Sequence, residues 1–331
     1  MRSLSIGINW QGPLDIESVI EQAKIAADAG VDALFVAEAW GRDAFTILAV
    51  LARETSRIKL GTSIVNTYSR SPAALAQHFA TLDELSGGRM IIGLGTSGHR
   101  VIEHFHGVDF GLPLTRLREY VDIINMLMRQ EPLKYSGKIF KLERGFTLRF
   151  EPVRKHIPIW IASVTARSVQ QTAAIADGWF PIFMPREQWK DQLGLFFDAV
   201  KAAGRVPEDV VVRNPSGVSV TDAPDRTYMG LAANAAFYIA RMGDFYYEHF
   251  VRMGYREEAD SVRKAWEEGG SGAGSSALPA ELVKQMGTAG PVEQCIEALD
   301  EAEAAGFRMH SVSVAESDPK KRADIFRQLV G

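Results

Sequence analysis

The stretch RMIIGLGTSGHRVIEHF, residues 89–105, decides how this chain is read. At its centre, GLGTSG (93–98) is Gly-x-Gly-x-x-Gly lying between the apolar run MII and the helix signal HRVIEHF. Such glycines mark a dinucleotide-binding fold when they close the first strand of a βαβ unit and an acidic residue ends the next strand about 20 residues on. Here that downstream region is the helical pattern TRLREYVDIINMLMRQ (115–130), and three strand–helix units already precede the glycines. The motif therefore closes a fourth unit of a repeating pattern.

Working outward toward the N-terminus, LSIGINW (4–10) is a short apolar strand. DIESVIEQAKIAADAG (15–30) follows, with Ile16, Val19, Ile20, Ala23 and Ala27 on one helical face between an Asp15 cap and a Gly30 stop. VDALFVAE (31–38) is almost wholly apolar, as a strand covered on both faces should be, and DAFTILAVLARETS (43–56) is its helix. RIKLGTSIVN (57–66) is the third strand; Ser71-Pro72 then opens a helix that stops at Gly87-Gly88.

Downstream, LKYSGKIFKLERGFTLRF (133–150) alternates apolar and polar residues about a Ser-Gly turn, a hairpin insertion spanning about 131–156. Strands five to eight are IPIWIAS (157–163), GWFPIF (178–183), VVVRNPSGVSV (210–220, interrupted by Pro215) and MHSVSVA (309–315), with helices at 166–176, 186–204, 291–306 and 318–330. Eight strands alternating with helices predict an α/β fold, a (β/α)8 TIM barrel forming a single domain over 1–331. A second insertion falls in 226–287, helical and aromatic-rich, most of it at about 241–287. Its tract GGSGAGSSA (269–277) has too little apolar surface to offset its ordering entropy and reads as a mobile loop, a lid.

Bulk properties exclude several classes. A net charge of −4 with mixed signs offers no basic stripe to a nucleic acid, and no apolar run approaches the ~20 residues of a membrane span. Cys295 is the only cysteine, which removes disulfides within the chain and makes a thiolate metal site improbable. The N-terminal apolar run is too short for a secretory signal, so the expected location is cytoplasmic.

Several segments in this order resemble the luciferase-like monooxygenase superfamily, in particular its branch of oxidoreductases dependent on the deazaflavin F420, which includes methylenetetrahydromethanopterin reductase. They are EAWGRDA (38–44), LGTSIVNTYSRSPAALAQHFATLDELSGGRMIIGLGTSG (60–98), and IPIWIAS with AIADGWF around helix five. The resemblance implies a deazaflavin lying across the carboxyl end of the barrel, hydride passing between its C5 and a bound substrate, and a homodimer. Barrel sites are built from the loops after the strands, which agrees on the place. The helices at 43–56 and 72–86 carry the apolar surface for a dimer.

Four segments reach that face. Asn9 and Trp10 close strand one, where Trp10 either packs the rim or walls the ring. Glu38 ends strand two and faces either the catalytic centre or a partner such as Arg42; in an apolar cavity a carboxylate becomes a usable acid or base, and the resemblance puts an acid here beside the ring. In GTSIVNTYSR, Thr62, Ser63, Ile64 and Asn66 follow, and the resemblance implies a non-prolyl cis peptide at Ser63-Ile64 that presses Ile64 against the back of the ring; Arg70 is a polar loop residue or a bridge to a neighbouring subunit. Gly95 allows close approach to the cofactor tail, while Thr96, Ser97 and Gly98 offer hydroxyl and N–H donors.

His99, Glu103, His104 and His106 crowd the next segment without a metal-ligand spacing, so no metal is expected, and His99 is assigned to the substrate side. After strand five many relatives carry Gly-Pro at the cofactor phosphate, whereas this chain has SVTARSV (163–169). Ala162 and Ser163 end that strand. Thr165 can cap the helix, the N–H groups of Ala166, Arg167 and Ser168 can receive an anion, and Arg167 adds charge. The expected activity is F420-dependent hydride transfer to or from a small organic substrate. The alternatives are an FMN-dependent monooxygenase of the same superfamily and a phosphate-binding barrel lyase or isomerase, which would want a strand-end lysine or a second acid. A pterin carrier, an alcohol, a ketone and a sugar phosphate all remain open as substrates.

Overall fold

The computed structural model describes residues 1–8 and 12–331; Asn9 and Trp10 lie outside the described residues. In chain order the first elements are β1 (Leu4–Gly7), α1 (Ile16–Asp28), β2 (Ala33–Val36), α2 (Ala44–Glu54), β3 (Lys59–Thr62), β4 (Val65–Asn66), α3 (Pro72–Ser86) and β5 (Met90–Gly95). Next come α4 (His99–His104), α5 (Pro113–Met128), β6 (Leu133–Ser136), β7 (Lys141–Phe146), β8 (Ile159–Ala162), α6 (Ala166–Ile175), β9 (Gly178–Phe180) and α7 (Trp189–Ala202). The chain ends with β10 (Val211–Val212), β11 (Gly217–Val220), α8 (Pro224–Arg241), α9 (Asp244–Arg252), α10 (Arg256–Ser276), α11 (Ala280–Gln285), β12 (Gly287–Gly290), α12 (Val292–Ala305), β13 (His310–Val314) and α13 (Pro319–Val330).

Local chemistry sets the helix ends. Asp15 accepts from the Ser18 N–H, Asp43 from Thr46 and Ser71 from Ala74, each side chain satisfying a donor the first turn leaves open. Gly87 ends α3 with φ 70°, a left-handed conformation that costs glycine nothing.

The main sheet is parallel throughout, in the order β10-β9-β8-β5-β3-β2-β1-β13-β11-β12, with β4 pairing β5. Its ladder is open. An isolated parallel bridge, Arg213 to Met309, with the Asn214 N–H donating to the Met309 carbonyl at 2.7 Å, links the β10 side to the start of β13. The helices cover the outer face and the main core lies between them and the sheet. Inside the ring of strands, the Phe35, Trp160 and Phe180 rings meet tilted or edge-on at 5.2–5.7 Å, packed with Ala33, Ile91 and Met309. This is the α/β TIM-barrel class that the strand–helix alternation predicts.

The β6–β7 hairpin forms where expected, its turn fastened by Glu119, which accepts from the N–H groups of Lys138, Ile139 and Phe140. Four readings need correction. The third strand is two, β3 and β4, broken at Ser63–Ile64, where the peptide bond is cis. The seventh is also two, because Pro215 and the Asn214 side chain, which accepts from the Ser216 N–H, interrupt it. GTAG (287–290), absent from the eight expected strands, is β12; it has no large side chain to signal a strand and is held by pairing with β11.

The tract 269–277, read as a loop, is mostly the second half of α10. The helix bends at Gly270 (φ 73°) and then runs on because small residues allow close packing: a Cβ at Gly274 would come within 2.7 Å of the Trp266 ring. α8 to α11 thereby share a separate core around Ile239, Phe250, Val262 and Leu282.

Candidate active site

The parallel strands all present their carboxyl ends on one side, and most of the residues assigned to the cofactor from sequence lie there. Register places Asn66 beside Gly95 and Leu94 beside Ile161. Ile64 and Ala162 both pack at the edge of the inner aromatic cluster. Gly95 sits between them: a Cβ there would meet Ile64 Cδ1 at 3.0 Å and Ala162 Cβ at 3.6 Å. Ile64, Gly95 and Ala162 thus make one small-residue ledge above Phe35, Trp160 and Phe180. Thr62 serves the sheet instead, its hydroxyl donating to the Gly93 carbonyl at 2.7 Å and accepting from the Gly93 N–H at 3.0 Å. Ser163 is likewise engaged, its hydroxyl by Thr172 at 2.9 Å and its carbonyl by the Trp179 indole at 3.1 Å.

Glu38 is half-buried just after β2 and held in a network. Arg70 donates to both of its oxygens, at 2.5 and 3.1 Å, and the Ala44 N–H donates to Oε2 at 2.9 Å. Arg70 also pairs with Asp43 at 2.5 Å, lies over the Phe45 ring, and its carbonyl accepts from the Tyr120 hydroxyl. Burial alone would lower the Arg70 pKa; the hydrogen bonds and charges of Glu38 and Asp43 outweigh it and raise it. The carboxylate is therefore oriented by Arg70, which bridges within the chain.

Asn66, at the end of β4, is joined to the segment after α4. Its Oδ1 accepts from the Tyr68 and Ser69 N–H groups at 2.9 and 2.8 Å, which turns its Nδ2 toward His106 Nε2 at 3.2 Å. An amide NH2 can only donate, so His106 Nε2 carries the lone pair and Nδ1 the proton. Burial lowers the His106 pKa, with the charges of Glu38 and Arg70 opposing each other, so the ring is the neutral Nδ1–H tautomer.

His99 opens α4 and rests on Gly243, where a Cβ would clash at 2.7 Å; Gly98 approaches the Met242 carbonyl in the same way. Thr96 donates weakly to the Ser97 carbonyl, and Ser97 adopts φ 58°. Beside them opens a cavity of about 460 Å³ with an apolar wall of Trp40, Val101, Phe105, Phe237 and Met242 and a polar one of Arg100, His104 and Arg241. The His99, Glu103, His104 and His106 group is half-helical, and no cluster able to hold a metal ion occurs among the described residues.

At α6, Thr165 and Ser168 form a reciprocal capping box, so the Ser168 N–H is taken by the Thr165 hydroxyl at 3.2 Å. The N–H groups of Ala166 and Arg167 remain for an anion, as a first turn leaves them. Arg167 also lines a second cavity of about 480 Å³ with Arg118 and Lys138.

Sequence reading assigned Glu38 and His99 but missed the pairing of Arg70 with the acid and of Asn66 with His106. Arg70 lies 32 residues from Glu38, and no spacing rule joins two loops that meet only once the strands are aligned. Their positions after β2 and β4 were the available signal.

Comparison with known proteins sets this geometry in a family. Residues 6–309 match the family model described as luciferase-like monooxygenase. The chain is 34% identical over 336 residues to a Mycobacterium tuberculosis protein provisionally named a coenzyme F420-dependent oxidoreductase, covering 95% of this chain and 96% of that one. It is 28% identical to the 5,10-methylenetetrahydromethanopterin reductase of Archaeoglobus fulgidus, with 99% and 98% covered. Among solved structures, the coenzyme F420-dependent tetrahydromethanopterin reductase of Methanopyrus kandleri superposes with a TM-score of 0.83 at 22% identity, covering 99% of this chain and 98% of that chain, a likeness of fold. Taken with the strand-end ledge and the parallel sheet, the match shows that this chain belongs to the luciferase-like monooxygenase family.

Proposed function

We propose that the protein is an F420-dependent oxidoreductase that transfers a hydride between the deazaflavin and a small organic substrate. The observation that carries this reading is the near full-length likeness to a relative named for F420 dependence. The residues present fit such a cofactor. The ledge of Ile64, Gly95 and Ala162 leaves room for a flat ring over an aromatic floor. The open Ala166 and Arg167 N–H groups beside the Arg167 guanidinium suit a phosphate. The bound deazaflavin supplies hydride chemistry at C5.

The protein's own groups position and exclude. Arg70 fixes Glu38 as an oriented acceptor, and Asn66 fixes His106 with Nδ1–H as a donor. Glu38 is catalytic in this reading and shares the polar rim with His106. The cavity by Trp40, Phe105 and Phe237, edged by Arg100, His104 and Arg241, takes the substrate. Water is kept from the ring by Phe35, Trp160 and Phe180 below. A homodimer and a cytoplasmic location belong to the same reading. No helix among the described residues is long and apolar enough to cross a membrane.

Titration of the apo-protein with F420 and, separately, FMN, followed by tryptophan fluorescence, tests it. Saturable binding of F420 with little FMN binding is expected. Preference for FMN would replace the reading with a flavin monooxygenase whose phosphate site SVTARSV has reshaped.

A further inference from the structure

Arg213 follows β10 and projects into the ring of strands, against the inner aromatic cluster. Its guanidinium carbon lies 5.5 Å from the Phe35 ring centre and 5.5 Å from that of Phe180, and Nε donates to the Ser5 hydroxyl at 3.3 Å. No carboxylate pairs with it among the described residues, and the three residues outside them, Asn9, Trp10 and Gln11, carry no acid. The residue lies deep in the protein and is only partly covered, and its Nη atoms are not among the buried polar atoms that lack a partner.

Burial lowers the Arg213 pKa to about 10, which leaves it cationic at neutral pH. An uncompensated cation at such a depth is costly, and cation–π contact offsets only part of that. By register, Gly95, Ala162, Phe180 and Arg213 occupy neighbouring strand positions around the barrel, Leu94 and Ile161 pairing one step earlier and Ala162 pairing Phe180. The Arg213 backbone thus shares the level of the ledge assigned to the ring, and its guanidinium reaches inward from there over Phe35 and Phe180. Two aromatic faces and a planar cation suit the edge of a flat heterocycle; a tetrahedral phosphate finds its donors outside, at α6.

We propose that Arg213 is a cofactor-binding residue whose free Nη groups receive the electron-rich N1–C2 carbonyl edge of the pyrimidinedione that F420 and FMN share. This rests on the flavin-binding reading above but not on which flavin is bound. The 8-hydroxyl of the deazaflavin ionises with charge delocalised onto that same edge, so Arg213 would favour the ionised chromophore on binding.

The test uses the full-length protein as wild type, Arg213→Met and Arg213→Lys, titrated with F420 and with FMN, with thermal unfolding recorded for each. Arg213→Met is expected to weaken binding of the flavin the wild type takes by about tenfold or more, the loss of one charged hydrogen-bonding partner. It is also expected to lower the ionised fraction in the absorbance spectrum of bound F420 at pH 6. Arg213→Lys keeps the charge but not the planar fork, so its affinity should fall between wild type and Arg213→Met. Unchanged affinity and spectrum in Arg213→Met, whatever its unfolding temperature, would reduce Arg213 to a packing residue and overturn the proposal. Should Arg213→Met not fold, Arg213→Gln, which retains a polar head, carries the same comparison. Wild-type preference for FMN would sink the F420 reading alone, since the affinity ratio measured on FMN still decides Arg213; binding of neither flavin overturns both.

Discussion

His310 shows how a single residue can tie the stability of this fold to pH. It opens β13 fully buried, with neither ring nitrogen bonded, and burial, assisted by the charge of Arg2, pushes its pKa down to about 4. His249 is pushed to about 4 as well, by burial that outweighs its hydrogen bond to the Ile182 carbonyl. Both folded values lie below the unfolded value of 6.5. The unfolded chain therefore takes up protons that the folded one refuses, so stability is complete above the unfolded pKa and is lost as pH falls from there toward about 4. At pH 5 each ring should have cost about 2 kcal/mol. His310→Leu removes one of the two and also two orphaned nitrogens, so it should match or exceed wild type in urea at pH 7.5 and lose about half as much on going to pH 5. An identical acid loss in the variant would show that His310 does not carry it. Nothing in the sequence flagged this residue, because a histidine in MHSVSVA looks the same whether its ring faces solvent or core.

At the scale of elements, the three glycines of GLGTSG answer to three different neighbours. A Cβ on Gly93 would lie 1.7 Å from the Thr62 carbonyl oxygen of β3, on Gly95 3.0 Å from Ile64, and on Gly98 2.8 Å from the Met242 carbonyl after α8. The first is a backbone clash inside a ladder and cannot be relieved by a rotamer. Gly93→Ala should therefore cost more than the ~1–3 kcal/mol of ordinary overpacking and leave little soluble folded protein, while Gly95→Ala, facing a flexible side chain, should fold and lose flavin affinity. Equal yields and equal urea midpoints for the two variants would contradict this. The helices and their caps were legible because capping and periodicity are local chemistry, as at Asp15, Asp43, Ser71 and Thr165. β12 and the second half of α10 were not. GTAG and GGSGAGSSA owe their states to what packs on them, Leu231 over Gly287 and Trp266 over Gly274, and glycine-rich sequence carries no trace of a distant partner.

For the whole molecule, the alternation of elements was enough to name the barrel, since parallel strands need crossover helices and eight such units have one common closed solution. Strand ends pointed to Glu38, Ile64 and Gly95 as the candidate site, while the pairing of Arg70 with Glu38, of His106 with Asn66 and of Arg213 with Phe35 joins distant loops and strands and left no trace in spacing. The dimer is the remaining step at this scale. α2 and α3 spend most of their apolar residues inside, Leu48, Leu51, Leu75 and Phe79 being fully buried, and leave Ala49, Val50 and Ala73 half-covered with Leu85 exposed at 40%. A stable interface of at least ~1,200 Å² would have to be completed from that strip and its polar margins. Sedimentation should accordingly give twice the chain mass of 36.5 kDa. Leu85→Arg, which places an unpaired charge in the strip without touching the core, should shift the species to 36.5 kDa and leave flavin binding intact. A wild-type protein that sediments as a monomer would remove the dimer from the reading, and a dimer indifferent to Leu85→Arg would move its interface to another face.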